Sequence, residues 1–525
     1  MTNESSTLPT PTRPTPSAQQ EAVCAFVCKE RENLVVRARA GTGKTWTILE
    51  ALRRYVRLHP EADVLIAAFN KRIAVELQQK TANTSIAVST LHSLGFRAIT
   101  SQWRGVRINR NRGQELARKA CGDQAPDDMV NLVRRLAAMG KNCAPNIKAK
   151  STDTQPQPGH LEQLRQLALE FDLDPDPAWA EDGWDLERVA GCAQKAMLLA
   201  LCKDGEIDFD DQIFIPVANA FARPAYQLVV IDEAQDMNQA QLRLAYRLCV
   251  PRAQGGRLIV VGDDRQAIYR FRGADSGALD RLKTALEARE LPLTITYRCA
   301  QAIVEEAQAL VPDYQAAPNA PRGLVRKALE KEMYEQAAPG DAILSRRNAE
   351  LASACMRLLK MGKRARIEGR DIGEGLLRLV ESLKAKNWKK FGPKLERWRE
   401  REVAKITAKH KGKSPDALAE ACDRIHDQAD TLHSFSEGLR SVAALVARIR
   451  ELFSDSHEVT TPAIVCSSVH KAKGLEWVRV WGLDWTFGGK GKRTDAQEEA
   501  NIEYVFITRA QKELVRVVRP GERRR

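Results

Sequence analysis

One stretch, residues 37–47, constrains the fold of this chain more than any other. It follows the apolar residues 34–36 and carries two glycines shortly before a lysine. A short buried strand, a glycine turn and an amphipathic helix over about residues 45–58 form a loop whose unpaired backbone N–H groups surround an anion. The predicted loop residues are Ala40, Gly41, Thr42, Gly43, Lys44 and Thr45. The sequence therefore predicts a phosphate-binding loop at a strand-to-helix turn.

The residue types of this loop suit a nucleotide. Lys44 would reach the β- and γ-phosphates, and Thr45 would give its hydroxyl to Mg²⁺. Gly41 and Gly43 let the backbone approach where any Cβ would collide with phosphate. Ala38 stands at the usual first glycine of the pattern, so a chance glycine-rich turn is the alternative for this motif alone.

A second apolar run, residues 227–231, ends directly in two acidic residues. At the end of a strand, Asp232 can hold Mg²⁺, usually through water, while Glu233 can orient and deprotonate an attacking water. Two carboxylates on a surface helix are the alternative, which the preceding apolar run disfavours. The two motifs together predict a nucleoside triphosphatase.

Composition narrows the class of protein. A chain of 525 residues suggests roughly three or four domains. The formal charge of +14 favours a polyanionic partner. The 11 cysteines have no metal-ligand spacing, which favours free thiols. No apolar run is long enough to span a bilayer, so we expect no membrane contact and a cytoplasmic protein.

The apolar pattern divides the chain into α/β and helical parts. Strands at residues 64–69 and 86–88 alternate with helices, which predicts a parallel sheet with crossover helices. Residues 96–203 have a helical pattern instead. In a second insertion, residues 384–413 carry twelve Lys or Arg against three Glu. The aromatics among them, Trp388, Phe391 and Trp398, suit either DNA contact or an inward-facing helix side.

Seven segments in a fixed order connect the chain to a known family. They are residues 38–45, 232–236, 262–274, 296–298, 342–348, 468–477 and 498–510. In this order they resemble the motifs of the UvrD/Rep family of superfamily 1 (SF1A) DNA helicases, over about residues 19–514. Any single segment would be only suggestive, whereas seven in order make coincidence negligible.

The resemblance implies an α/β fold with two RecA-like parallel-sheet motor domains, each with a mostly helical insertion. The expected first motor domain comprises 17–95 and 204–285, with 96–203 as its insertion. The expected second comprises 286–369 and 460–518, with 370–459 as a short basic insertion. A disordered tail over 1–16 and a basic tail over 519–525 complete the expected organisation.

The resemblance also implies roles around ATP and Mg²⁺. Gln19 would read adenine, with Gln20 as a one-residue alternative. Tyr297 would stack on adenine, and Glu476 would contact the ribose. The implied catalytic residues are Lys44, Asp232, Glu233, Gln266, Arg298 and Arg509, and the implied metal ligands are Thr45 and Asp232. The two arginines would come from the second motor domain and stabilise charge on the transferred phosphoryl group.

Two of the positions that depart from the family pattern carry aromatic residues, while Ser468 replaces the usual threonine and keeps its hydroxyl. Trp46 follows the phosphate loop where an arginine is common, and we predict that it stacks on the adenine face opposite Tyr297. Burial as an ordinary helix tryptophan is the alternative. Phe506 stands where a small residue is common, so we expect the packing beside Arg509 to differ.

Single strands are held by base stacking and by contacts to the backbone. The resemblance gives base-stacking positions to Phe69, Tyr269 and Phe271, each with core packing as its alternative. It gives backbone-contacting positions to Asn70, Thr90, His92 and His470.

The expected function is an ATP-dependent DNA helicase that moves 3′→5′ on single-stranded DNA and unwinds duplex in repair, recombination or replication. The direction comes from the resemblance alone. The expected partners are single-stranded DNA and single/double-strand junctions, with a nuclease or other repair protein as a further partner. A translocase or nuclease-partner subunit with little unwinding of its own is the alternative, since the second insertion is short. RNA stays open as a substrate.

Overall fold

The computed structural model describes residues 15–143, 158–171, 173–175, 179–180, 182–268, 277–385, 387–409, 415–454, 462–487 and 496–519. Most of these residues belong to two large parallel sheets and the helices that cover them. This confirms the predicted α/β class with two RecA-like parallel sheets. None of the helices in this part of the chain is both long and apolar enough to cross a membrane.

The first segment alternates strands with helices, as the apolar pattern predicts. Its elements are α1 (Ala18–Lys29), β1 (Leu34–Ala38), α2 (Lys44–Leu58), β2 (Val64–Ala68), α3 (Lys71–Thr81), β3 (Ile86–Thr90) and α4 (Leu91–Gln102). Side-chain oxygens of Ser17, Asn70 and Thr90 accept backbone hydrogen bonds at the starts of α1, α3 and α4. Gln20 completes a capping box with Ser17.

A helical unit with its own core follows. It contains β4 (Arg107–Ile108), α5 (Arg112–Cys121), α6 (Asp127–Cys143), α7 (Pro158–Glu170), α8 (Leu186–Ala200) and β5 (Glu206–Ile207). Val130, Val133, Leu136 and Val189 are buried together in this core. The short strands β4 and β5 pair in parallel and join the two ends of the unit.

The chain then returns to the first sheet. The elements are α9 (Asp211–Ala218), β6 (Leu228–Ile231), α10 (Gln239–Leu248), β7 (Arg257–Gly262), α11 (Ala278–Ala285) and β8 (Arg289–Leu293). The strand order is β3-β2-β6-β7-β1-β8. Alternate residues of a strand face opposite sides, so Leu34 and Val36 pack under α1 and α2, whereas Val35 packs under α4 and α10.

Strand β8 lies beyond the expected domain boundary at residue 285. It pairs with β1 from Leu34↔Arg289 to Ala38↔Leu293, so the first sheet extends to Leu293. Its charged residues and Pro292 do not look like a buried strand, but an edge strand tolerates both. We call the unit built on this sheet the first motor domain.

The remaining chain forms the second sheet and the helices around it, and two of its short strands pair in a small sheet of their own. Its first elements are β9 (Ile295–Thr296), α12 (Gln301–Gln308), β10 (Gln315–Ala316), β11 (Leu324–Leu329), α13 (Glu330–Gln336), β12 (Ala342–Ser345), α14 (Asn348–Lys360) and β13 (Ala365–Glu368). The insertion contains α15 (Arg370–Ser382), α16 (Trp388–Lys409), α17 (Pro415–Ser436), α18 (Val442–Leu452) and β14 (Phe453–Ser454). The last elements are β15 (Ile464–Ser468), α19 (Val469–Ala472), β16 (Trp477–Leu483), α20 (Ala496–Ile507) and β17 (Ala510–Val518). The order β11-β17-β16-β12-β15-β13-β14 defines the second motor domain.

The helices of the second insertion share a core with the second sheet. Leu395, Phe435 and Ile449 of the insertion are buried in one cluster with Ile343 and Trp481 of the sheet. The aromatics of α16 face this core as well: Phe391 is only 2% exposed, and Trp388 and Trp398 pack against the cluster. The inward alternative therefore holds for these aromatics, and the basic side chains of α16 are what this insertion can offer to DNA.

Phe506 occupies space that another residue leaves free. Its ring is fully buried and stacks on Phe487 with the ring centroids 4.6 Å apart. A Cβ at Gly482 would lie 2.1 Å from Cζ of Phe506, so β16 can pass the ring only because residue 482 is glycine. Gly482 on β16 thus makes room for the large side chain of Phe506 near Arg509.

Gly482→Ala is therefore expected to destabilise the protein by about 1–3 kcal/mol, because the added methyl overpacks the ring. In a Phe506→Ala background the same change should cost much less, since the ring is gone. Chemical denaturation of the two single variants and the double variant measures this coupling. Gly191→Ala on α8, where an added Cβ meets nothing within 4 Å, is the control. Equal costs in both backgrounds would contradict the compensation.

Candidate nucleotide and nucleic-acid sites

The phosphate loop joins β1 to α2 at the carboxyl edge of the first sheet. Gly41 and Gly43 have φ of 69° and 77°, in the left-handed region that favours glycine. No side chain caps the start of α2, so its first N–H groups are available to an anion. A Cβ at Gly41 would also lie 2.5 Å from Cβ of Arg298, because the second motor domain packs directly against the loop.

Lys44 forms an ion pair with Glu233 across the carboxyl edge of the sheet. The Lys44 Nζ to Glu233 Oε1 distance is 3.0 Å, and Gln235 also donates to Glu233 at 2.6 Å. Burial opposes ionisation of Glu233, but Lys44 and Lys473 outweigh it and lower the pKa of this carboxyl. Glu233 is thus ionised at neutral pH, and Lys44, whose pKa is raised by the surrounding carboxylates against its burial, is charged.

Asp232 lies buried at the end of β6, directly before Glu233. Its Oδ1 accepts from the Glu233 N–H at 3.0 Å. Burial and the neighbouring carboxylate of Glu233 raise the pKa of Asp232. A bound cation would favour the ionised carboxylate and so oppose this shift. Thr45 is half-buried in the first turn of α2. In the described part of the chain, no group of three or more His, Cys, Asp and Glu side chains could hold a metal by itself.

The second motor domain places two arginines in the cleft between itself and the phosphate loop of the first motor domain. Arg298 forms an ion pair with Glu476. Arg509 is 1% exposed and donates to the carbonyl oxygens of Val505 and Leu475, both at 3.0 Å. Burial and the nearby Arg298 lower the pKa of Arg509 to about 10, so it keeps its charge at neutral pH.

Lys473 is a cleft residue for which the sequence analysis had no role. Its Nζ donates to both carboxylate oxygens of Asp236, at 2.7 and 2.6 Å, and to the Gln266 carbonyl oxygen at 2.6 Å. Burial raises the pKa of Asp236 to about 6 despite this lysine. Gln266 is buried and its amide donates to Asp263 Oδ2 at 2.7 Å. The signal for Lys473 in the sequence was its position within the motif segment 468–477.

The residues expected around adenosine lie at the edge of this cleft. Gln19 exchanges two hydrogen bonds with Thr294, donating to Oγ1 at 2.9 Å and accepting from N–H at 2.8 Å. Gln20 instead donates to the Thr42 carbonyl oxygen of the phosphate loop at 3.2 Å. Tyr297 is exposed, and Trp46 is half-buried. Glu476 is held by Arg298 and by Gln511, whose amide donates at 2.9 Å.

The expected DNA contacts of the first motor domain lie where its strands end. Phe69 is half-buried against the core, and Asn70 and Thr90 use their side-chain oxygens to cap α3 and α4. His92 is half-buried in the first turn of α4, and burial lowers its pKa to about 4. Its imidazole is therefore neutral near pH 7 and suits stacking rather than ion pairing.

The remaining expected DNA contacts divide into two groups. His470 lies half-buried on α19 of the second motor domain. Tyr269 and Phe271 lie outside the described residues.

Phe209 is an aromatic that sequence reasoning missed. It is 61% exposed and stacks on His92, with ring centroids 4.1 Å apart and planes 22° from parallel. The acids around it face inward: Asp208 and Asp211 both pair with Lys141 at 2.7 Å. Phe209 stands among three aspartates, so it does not fit the apolar pattern of a buried strand or helix. This mismatch was the signal for an exposed aromatic in the sequence.

Comparison with known proteins agrees with this geometry. The sequence model of the UvrD/REP helicase N-terminal domain matches residues 17–287, and that of the UvrD-like helicase C-terminal domain matches residues 372–518. The two matches cover parts of both motor domains.

Individual relatives are distant. The chain is 25% identical to F-box DNA helicase protein 1 of Schizosaccharomyces pombe, over 95% of this chain and 57% of the relative. It is 25% identical to ATP-dependent DNA helicase PcrA of Bacillus subtilis, over 53% and 37%. It is 27% identical to ATP-dependent DNA helicase UvrD1 of Mycobacterium bovis, over 61% and 41%. The chain thus spans between 37% and 57% of the length of these relatives. From the family matches over both of its halves, we conclude that the chain belongs to the UvrD/Rep family of helicases.

Proposed function

We propose that the chain is an ATP-dependent DNA helicase that moves 3′→5′ along single-stranded DNA and unwinds duplex, in repair, recombination or replication. The main support is the convergence of charged groups from both motor domains on one phosphate loop. Lys44 and Glu233 come from the first, and Arg298 and Arg509 come from the second. Hydrolysis at such a site depends on how the two domains meet, so it can drive their relative motion.

The ion pair between Lys44 and Glu233 gives the site a simple response to nucleotide. A γ-phosphate carries more negative charge than one carboxylate and would compete for Lys44. Glu233 would then be released from the lysine and could accept a proton from the attacking water. Arg298 and Arg509 would stabilise the charge on the transferred phosphoryl oxygens.

Thr45 and Asp232 are the residues that would hold Mg²⁺. A hydroxyl and a carboxylate are oxygen ligands of the kind that Mg²⁺ prefers, with the phosphates and water completing its shell. The ion would neutralise phosphate charge. For adenosine we propose Gln19, Trp46 and Tyr297 around the base and Glu476 at the ribose, which requires Glu476 to leave Arg298.

For the DNA path, we propose that bases stack along the carboxyl edge of the first sheet. Phe69, the stacked pair His92–Phe209 and, outside the described residues, Tyr269 and Phe271 would supply π-faces. Asn70, Thr90 and His470 would contact the backbone, whereas His92, which was expected to contact it as well, would stack because its ring already lies against Phe209. The amide of Asn70 is available for this, because only its oxygen is used in capping α3.

Exposed arginines extend this path onto the helical unit of the first motor domain. Arg104, Arg107 and Arg110 are exposed on and beside β4. Strand β4 pairs with β5, which ends two residues before Phe209. Phosphates of a strand that leaves Phe209 would therefore meet positive charge.

The first test is ATP hydrolysis by wild type and by Glu233→Gln, with and without single-stranded DNA. We expect DNA to stimulate the wild type. Glu233→Gln should lower the stimulated rate by about 10²–10⁴-fold, because the amide cannot take the proton. Glu335→Gln, an exposed glutamate on α13, is the matched control and should stay within about twofold of wild type. Turnover that DNA does not change would contradict the proposal.

The same preparations should be given duplexes with a 3′ or a 5′ single-stranded tail. Strand separation on the 3′-tailed duplex alone would support both unwinding and direction. DNA-stimulated turnover without strand separation would favour a translocase or a nuclease-partner subunit. The core that the second insertion shares with the second sheet favours this second function, since the insertion is not a separate arm.

Phe209→Ala is expected to weaken single-stranded DNA binding by about 5- to 100-fold, because one base-stacking surface is lost. Fluorescence anisotropy of a labelled oligonucleotide measures it. Tyr246→Ala is the matched control: this aromatic is 55% exposed but lies near the bridge between Tyr226 and Cys249, at the opposite edge of the sheet. Equal losses of affinity in both variants would exclude a specific role for Phe209.

A further inference from the structure

The second motor domain holds both backbone polar groups of one phosphate-loop residue, Ala40. The N–H of Ala40 donates to the Tyr504 hydroxyl at 3.0 Å, and the Tyr314 hydroxyl donates to the Ala40 carbonyl oxygen at 3.0 Å. Both tyrosines are fully buried, and their rings meet edge to face with centroids 5.6 Å apart. The two hydroxyls thus bind both polar groups that Ala40 offers. We call this pair of contacts the tyrosine clamp.

The residues on either side of Ala40 are held in the same way. Arg39 is buried, and its guanidinium pairs with Asp313, directly before Tyr314, at 3.0 Å. The carbonyl oxygen of Gly41 accepts from the Tyr297 N–H at 2.9 Å. Three successive loop residues therefore contact the second motor domain, although the loop follows a strand of the first.

Ala40 is also part of the hydrophobic core of the second motor domain. Its side chain is buried in one cluster with Ile303, Leu344 and Val505. The loop is thus fixed on one side by β1 of the first motor domain and on the other by the core of the second. A separation of the two domains has to break the clamp or deform the loop.

Packing of the two rings does not by itself require the hydroxyls of the clamp. Burial raises the pKa of both Tyr314 and Tyr504 well above the usual value, so both hydroxyls stay protonated. A phenylalanine would fill nearly the same volume, whereas a buried hydroxyl costs stability unless it is hydrogen-bonded. The Tyr504 hydroxyl is bonded to the backbone of the phosphate loop, and the Tyr314 hydroxyl is bonded to it at 3.0 Å and lies 3.4 Å from Cys299 Sγ.

We propose that Tyr314 and Tyr504 are positioning residues of the nucleotide site, through which the phosphate loop takes its binding shape only while the two motor domains are docked. The clamp keeps the docked, binding-competent state populated before nucleotide arrives. When the cleft opens, the backbone of Ala40 loses its hydrogen bonds to the two tyrosines, and the phosphate loop binds phosphate less tightly. This inference rests on the proposed function, in that it assigns ATP to the loop.

The test is the double variant Tyr314→Phe/Tyr504→Phe, which removes both hydroxyls and keeps the rings. Two readouts are needed: the affinity for a fluorescent, non-hydrolysable ATP analogue without DNA, and deuterium uptake by the segment 34–45. We expect affinity to fall about tenfold, because the competent state becomes a minor one. Deuterium uptake should rise, because the Ala40 N–H loses its acceptor. In ATP hydrolysis, KM should change more than kcat.

Tyr334→Phe is the matched control. Tyr334 is also buried in the second motor domain, but its hydroxyl donates to Glu330 at 3.1 Å and not to the loop. It should lower the melting temperature about as much as the clamp variants without changing ATP affinity. Affinity of the double variant within twofold of wild type, or an equal loss in Tyr334→Phe, would overturn the proposal.

The two readouts separate this inference from the proposed function. A wild type that does not bind the analogue refutes the assignment of ATP to the loop. Deuterium uptake then still tests the clamp as a link between the domains, and unchanged uptake in the double variant would refute that link.

Discussion

The structure depends on the pairing of charges that are buried between the two motor domains. A lone buried charge costs several kcal/mol, so each must have a partner of opposite sign. Lys473 of the second domain neutralises Asp236 of the first, and Arg39 joins Asp313 of the second to Asp263 and Asp264 of the first. The pairs that join the two domains, Lys473–Asp236 and Arg39–Asp313, form only when the sheets face each other with their loops in register. Charged groups beside the proposed nucleotide site therefore determine how the domains dock.

This charge balance suggests how the proposed site would respond to phosphate. In this structure Lys44 forms an ion pair with Glu233, and Arg298 forms one with Glu476. Added phosphate would draw both cations away from carboxylates and leave those carboxylates for water and ribose. Binding would thus exchange pairs within the cleft instead of adding an uncompensated charge, which keeps the desolvation cost low.

The sequence predicted what local patterns encode and missed what depends on distant contacts. Apolar runs located β1, β2, β3 and β6, and both glycines singled out in the loop after β1 have positive φ. Strand β8 escaped prediction because an edge strand need not be apolar. Phe209, Lys473 and the tyrosine clamp escaped because their partners lie more than 100 residues away in the chain. Gly482 and Phe506 show the same limit: each looks unusual alone, and only their contact explains both.

The shared core of the second insertion restricts how the motor can move. Its helices α15 to α18 are buried against the same sheet that carries Arg509 and the clamp, so they follow the second motor domain as one body. If the cleft opens and closes as proposed, the basic side chains of α16 would therefore shift with it. DNA phosphates held by α16 would be displaced relative to bases held at Phe209 on the first motor domain. Such a displacement would need no independent movement of the insertion, and in this way a short insertion could contribute to the proposed translocation.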